Sequence, residues 1–192
     1  MVSVVVPIYY CDTALYSPIQ RCLDSLSGRD VELVTVDDSS PLDIPPHWPI
    51  TCHNIKNLGF TATVNKGLSI ATGDILVVMN DDIEMDQKCL DRYSTLKGQL
   101  IASPADTSSS PDDRFGACWG MTREAYGLLG PLNETYRHFF SDRDYYDRAK
   151  ALGVEVVKWR DIVLSHPESS TYNKLDKEAL LTADLERYNK GR

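Results

Sequence analysis

The 192 residues are enough for one domain with a substantial core, and 42% hydrophobic with 25% charged side chains is an ordinary balance for a globular protein. A net charge of −8 counts against a broad nucleic-acid or anionic-membrane surface, since both need clustered Lys and Arg; a small anionic ligand would need a local device such as a divalent metal. Five scattered cysteines (Cys11, Cys22, Cys52, Cys89, Cys118), never in a C-x-x-C pair, argue against a disulfide framework or zinc site and for reduced thiols in a cytoplasmic compartment, and the longest apolar runs are too short to span a bilayer.

The first predicted element is a central strand over "VSVVVPIYY", residues 2–10, β-branched and closed by Pro7. Leu15, Ile19, Cys22, Leu23 and Leu26 then recur at helical spacing, with Gly28 as the stop. "VELVTVDDSS" is a second strand, so the first forty residues read as a strand–helix–strand crossover unit. Four prolines in "PLDIPPHWPI" make residues 41–50 a loop, and "TCHNIKN" holds a short strand. A helix follows in "GFTATVNKGLSIATG", with Phe60, Val64, Leu68 and Ala71 on one face and Gly73 closing it; "DILVVMN" is another buried strand. The next helix spans Asp86 to Leu96. Residues 103–115, polar and rich in Ser and Pro, read as a mobile loop or a lid over a cleft. Beyond lie "GACWGM", helices at "TREAYGLLG" and "SDRDYYDRAKALG", one or two strands in "VEVVKWRDIVLSH", and a C-terminal helix over 174–192 with Leu180, Leu181, Leu185 and Tyr188 as its packing face. The alternation predicts a single α/β domain, residues 1–192, with a mainly parallel sheet flanked by helices.

Ligands of open α/β sheets bind beyond the carboxyl ends of the strands. Two predicted strands end there in acidic pairs, Asp37–Asp38 and Asp81–Asp82. One such pair is readily a turn or a helix cap. Two at one sheet edge would repel unless a hard cation relieved them, and a cation that takes carboxylate oxygens keeps positions for phosphate oxygens.

The order "VSVVVPIYY", "VELVTVDDSS", "NLGFTATVNKGLSIATGDILVVMNDD", "GACWGMTREAYGLLGPLNETY", "SDRDYYDRAKALG" and "VLSH" resembles the inverting GT-A glycosyltransferases of family 2, from residue 2 to about 172. A fainter likeness is to the small sugar transferases encoded by large chlorella viruses, which would place the protein in a host cytoplasm. The resemblance implies a GT-A, Rossmann-like domain that uses a nucleoside-diphosphate sugar. Pro7, Ile8 and Tyr9 would form one wall of the nucleotide pocket, with Tyr10 where an Asn is usual. Asp38 matches the residue that accepts a hydrogen bond from the base; a carboxylate suits the uracil N3–H and favours a UDP-sugar over CMP, although guanine also presents a ring N–H. Asn57, Gly59 and Asn65 lie at the positions that approach the nucleotide. "NDD" matches the D-x-D metal motif with Asn80 as a departure: Asp82 is the implied ligand of Mn²⁺ or Mg²⁺, Asp81 faces the sugar or ribose, and His166 completes the metal site or touches the diphosphate.

In the same family the base that deprotonates the acceptor sits in an E-D-x-D run at a helix start. Here that run is Ser141, Asp142, Arg143, Asp144, which makes Asp142 the base and replaces the first acid by Ser. Ser141 as N-cap, with Asp142 and Asp144 complementing the helix dipole, explains the same residues structurally. Trp119 falls where the donor and acceptor cleft is lined, and an indole is equally good core material. The acceptor would be a glycan or glycoprotein hydroxyl. The competing readings are a catalytically impaired nucleotide-sugar-binding module and a nucleotidyltransferase; "PIYYCDTALY" lacks the Gly, Lys and Arg of a phosphate loop, against the latter.

Overall fold

The computed structural model describes residues 1–107, 115–166 and 176–190. A seven-stranded sheet runs in the order β3-β2-β1-β4-β6-β5-β7. At its centre β1 (Val2–Ile8) lies parallel to β2 (Glu32–Asp37) and to β4 (Ile75–Met79), and β2 is parallel to the short β3 (Cys52–His53). β6 (Cys118–Thr122) is antiparallel to β4 and to β5 (Leu100–Asp106), and β5 is parallel to β7 (Glu155–Leu164). The mainly parallel prediction holds, with β6 the reversed member.

Because strand side chains alternate, β1 feeds two cores. Val4, Val6 and Ile8 face the layer of α1 (Tyr16–Leu26) and α3 (Gln87–Ser94), where Ile19, Cys22, Leu23, Leu26, Cys89, Leu90 and Tyr93 are buried. Val5 faces α2 (Phe60–Ile70), α4 (Arg123–Leu129) and α5 (Ser141–Ala151) through Val64, Leu68, Ala125, Leu129, Tyr145 and Ala149. Each Val, Leu or Ile among these contributes about 1.5–3 kcal/mol on burial, so this sandwich dominates the stability. Loop 41–50 is irregular as predicted, and Trp48 anchors it with its ring 5.3 Å from that of Tyr10.

Three details differ from the sequence reading. Residues 103–106 are not loop but the end of β5: Ser103 is fully buried, and Pro104 is accommodated at a register shift against β7, where a missing N–H costs least. The remainder of the loop, 108–114, lies outside the described residues. α2 closes at Ala71 rather than Gly73; Gly73 instead lets the chain pass β1, since a Cβ there would sit 2.5 Å from Ser3 Oγ and 2.7 Å from the Met1 carbonyl oxygen. The last helix, α6 (Lys177–Lys190), buries Tyr188 and the carboxylate Asp184, while Leu181 and Leu185 are 43% and 41% exposed.

Tight packing between α3 and the sheet sets one stability prediction. A Cβ on Gly120 of β6 would lie 2.6 Å from Tyr93 Cε1 and 3.0 Å from Val77 Cγ2, and both neighbours are fully buried. Gly120→Ala is expected to destabilise the fold by about 1–3 kcal/mol in a denaturant titration, as overpacking does where neighbours cannot move aside.

Candidate functional site

Since β2, β1 and β4 run parallel, Asp37–Asp38, Tyr9 and Asn80–Asp82 emerge at the same carboxyl edge. Asp38 is buried and heavily used. Its Oδ1 accepts from Asn54 Nδ2 and the Leu58 N–H, both at 2.8 Å, and its Oδ2 accepts from the Gly59 N–H at 2.8 Å. One acceptor direction of Oδ2 remains beyond these contacts. The turn that carries it is strained, since Ser39 sits at φ 59°. Asp37 braces the edge instead, accepting from His53 Nδ1 and from the Ser40 N–H, each at 3.0 Å.

Of the predicted pocket wall, Tyr9 alone has a side chain aligned with this cluster. Burial, then the charges of Cys11 and Asp38, push its hydroxyl pKa up against the opposing pull of Arg137. Ile8 packs in the core, with its carbonyl oxygen accepting the Asp38 N–H, and Pro7 is paired with Val36 inside the sheet. Gly59 caps α2 at φ 88°, and a Cβ there would strike Arg137 Cγ at 2.4 Å and its carbonyl oxygen at 2.9 Å. Asn57 donates to the Asp38 carbonyl at 3.4 Å. Asn65 is drawn elsewhere: its amide engages the Leu132 backbone in both directions and Glu134 Oε1, bracing the 132–134 turn. Trp119 is 2% exposed and stacks on Phe115 at 5.0 Å, so it is core rather than cleft wall.

The second acidic pair is buried too. Asp82 Oδ1 faces His166 Nε2 at 3.1 Å, with both side chains at least 94% buried by their exposures of 4% and 6%. Asp81 and Asp82 lie close enough to Cys22 that, after burial itself, their charges help raise its thiol pKa well above normal. The fold delivers His166 from the far end of β7. Ser165 bridges Glu84, just past the acidic pair, and Thr107 Oγ1 both donates to the His166 carbonyl at 3.0 Å and accepts its N–H at 2.9 Å. An oxygen and a nitrogen donor so placed fit a divalent cation; among the described residues no set of three or more His, Cys, Asp or Glu is grouped to hold one, so other positions on the ion would fall to ligand oxygens.

Asp142 is exposed in the first turn of α5, and Asp144 in the same turn is half-buried. The cap, however, is Phe140 rather than Ser141, in the left-handed region at φ 64°, ψ −8°, a conformation that costs a bulky residue about 1–2 kcal/mol. Ser141 is buried as the first helical residue. Arg148 pairs with Asp144 at 2.9 Å, as the i,i+4 spacing suggests, while Arg143 lies 5.4 Å over the Tyr188 ring.

Three residues at this edge escape the sequence reading. Arg137 donates through Nη2 to Asn57 Oδ1 at 2.6 Å and covers Gly59. Burial and then the Arg137 charge lower the His138 pKa, against the opposing pull of the Asp184 and Asp38 carboxylates. Asp184, on α6, is fully buried. "YRHFF" carries no motif spacing, and an Asp among leucines reads as a polar helix face; the signal is three-dimensional.

Comparison with known proteins fits this fold. Residues 3–93 match the family model described as glycosyl transferase family 2. A mannosyltransferase from Pyrobaculum calidifontis, solved with GDP-Man and Mn²⁺, superposes with a TM-score of 0.67 at 20% identity over 90% of this chain and 59% of its own. The chain has the GT-A fold. A second GT-A structure, glucosyl-3-phosphoglycerate synthase from Mycobacterium tuberculosis with Mg²⁺ and UDP, gives a TM-score of 0.63 at 14% identity over 91% of this chain and 74% of its own. A curated relative, dolichol-phosphate mannosyltransferase from Pyrococcus furiosus, is 31% identical over 91 residues, 43% of this chain and 26% of the relative. This GT-A chain therefore spans well under two thirds of that relative. No helix among its described residues is long and apolar enough to cross a membrane.

Proposed function

We propose that the chain is a family 2 glycosyltransferase that moves a hexose or deoxyhexose, with inversion, from a nucleoside-diphosphate sugar to a hydroxyl of a glycan or glycoprotein. The observation that carries this is the convergence of Asp38, Asp82 and His166 at the carboxyl edge of a GT-A sheet, with His166 brought to Asp82 from 84 positions along the chain. Asp38, with its remaining Oδ2 direction, is the acceptor for a ring N–H of the base, and UDP is the nucleotide we favour. Tyr9 and Asn57 flank it, and Asp81 would contact the ribose or sugar. Asp82 and His166 would hold Mn²⁺ or Mg²⁺, which when bound supplies Lewis-acid neutralisation of the leaving diphosphate.

Asp142 is the general base. In one displacement the acceptor hydroxyl gives its proton to the Asp142 carboxylate as its oxygen bonds to the anomeric carbon, and the anomeric C–O bond breaks with its electron pair going to the β-phosphate oxygen. The positive end of the α5 dipole favours the ionised carboxylate this requires.

The test is release of nucleoside diphosphate from a panel of UDP-glucose, UDP-galactose, UDP-N-acetylglucosamine and GDP-mannose, with and without Mn²⁺. GDP-mannose is included because a solved neighbour carries it. Metal-dependent release from a UDP-sugar is the expected result. Binding without release, equal in wild type and Asp142→Asn, would establish a binding module instead.

A further inference from the structure

α6 reaches the candidate site through one buried carboxylate. Asp184 accepts from three consecutive backbone N–H groups: that of Arg137 at 3.1 Å to both oxygens, and those of His138 and Phe139 to Oδ2 at 2.9 and 3.0 Å. Arg187 Nη1 completes the set at 2.6 Å to Oδ1. Successive amides turned toward one point form an anion nest, and here the protein fills it with its own side chain. Burial works against ionisation of Asp184 more than any one contact, yet the amides of His138, Phe139 and Arg137 together with Arg187 outweigh it and hold the pKa below the usual carboxylate value.

The segment gripped in this way has a role on each side. Upstream, the Arg137 carbonyl accepts the Thr61 N–H at 3.2 Å, and its guanidinium holds Asn57 at both the side-chain and the backbone oxygen. These contacts pin the loop whose Leu58 and Gly59 amides hold Asp38. Downstream, the segment runs through left-handed Phe140 into Ser141 and Asp142. The Phe140 ring stacks on Tyr188, centroids 5.1 Å apart, and Tyr188 lies four residues beyond Asp184 on the same face of α6. The Tyr188 hydroxyl donates to Asp147 of α5 at 3.1 Å.

We infer that Asp184 is a positioning residue that fixes, through the backbone of 137–139, both the nucleotide loop Asn57–Gly59 and the start of α5 that carries Asp142. It touches no reacting atom; its importance for turnover rests on the proposed transferase function, and its grip on the loops does not.

The experiment uses the full chain with Asp184→Asn, Asp184→Ala and, as a milder probe of the same connection, Arg137→Ala. Amide hydrogen exchange of peptides covering 137–140 and 57–61 should quicken by about tenfold or more in Asp184→Ala, less in Asp184→Asn, which keeps one acceptor oxygen, while β1 and β4 stay protected. Under the transferase reading, donor kcat/KM per folded molecule should fall by about 10- to 100-fold with a raised donor KM, and Arg137→Ala should reproduce the KM rise. A loss of folded fraction alone would lower the apparent kcat and leave KM unchanged, which would overturn the inference. Unchanged exchange at 57–61 in Asp184→Asn would overturn it as well, even if Asp184→Ala fails to fold. A wild type that turns over no nucleotide sugar would sink the transferase reading, whereas exchange at 57–61 would still decide whether Asp184 governs that loop.

Discussion

Asp142→Asn is expected to lower kcat for glycosyl transfer by about 10²- to 10⁴-fold, the usual worth of a general base, while leaving donor binding near wild type. The side chain is exposed, so no core contact is lost, and Asn keeps its size and one acceptor oxygen. Loss of the first-turn charge at a helix N-terminus should cost about 0.3–1 kcal/mol of stability. A thermal melt therefore separates the two readings of the "SDRD" run. A large loss of turnover with a small change in Tm assigns Asp142 to chemistry. A change in Tm with turnover preserved assigns it to stabilising the helix N-terminus through the dipole.

Asp82→Asn should reduce Mn²⁺-dependent turnover by at least about 10²-fold, because a metal at the diphosphate supplies several kcal/mol of charge stabilisation and each 1.4 kcal/mol is tenfold in rate. Asn retains the shape, so His166 still meets a polar neighbour across the 3.1 Å gap and the buried site does not collapse. The half-saturating Mn²⁺ concentration, read from a metal titration of donor release, should rise. His166→Ala should shift it in the same direction, since the imidazole is the second donor. Metal dependence unchanged in both variants would remove the pair from the metal site.

The sheet was legible from the chain because its strands are dense in β-branched residues and its helices carry apolar stripes; Ile19, Cys22, Leu23 and Leu26 are buried as their spacing indicates. Both acidic pairs also fall at the predicted edge. The direction of β6 was not legible, since "CWGMT" is buried at every position and leaves no alternation to orient it. Polar composition hid the end of β5, where Ser103 is buried between strands. On α6 the leucines mislead: the helix turns Asp184 inward because three backbone amides compensate the buried charge, and periodicity of apolar residues cannot register such a contact. Asn65 and Trp119 lie where the family resemblance put them in sequence, but tertiary partners claim their side chains. The resemblance alone points to His166, and its approach to Asp82 depends on the Thr107 contact and the Glu84–Ser165 bridge.

Calorimetric titration of UDP into the wild-type chain and Asp82→Asn, each with and without Mn²⁺, tests the central claim most directly. The arrangement of Asp38, Asp82 and His166 predicts UDP binding that strengthens with Mn²⁺ in the wild type, and a loss of that gain in Asp82→Asn. UDP binding of equal strength with and without the metal, or no nucleoside diphosphate bound at all, would contradict it.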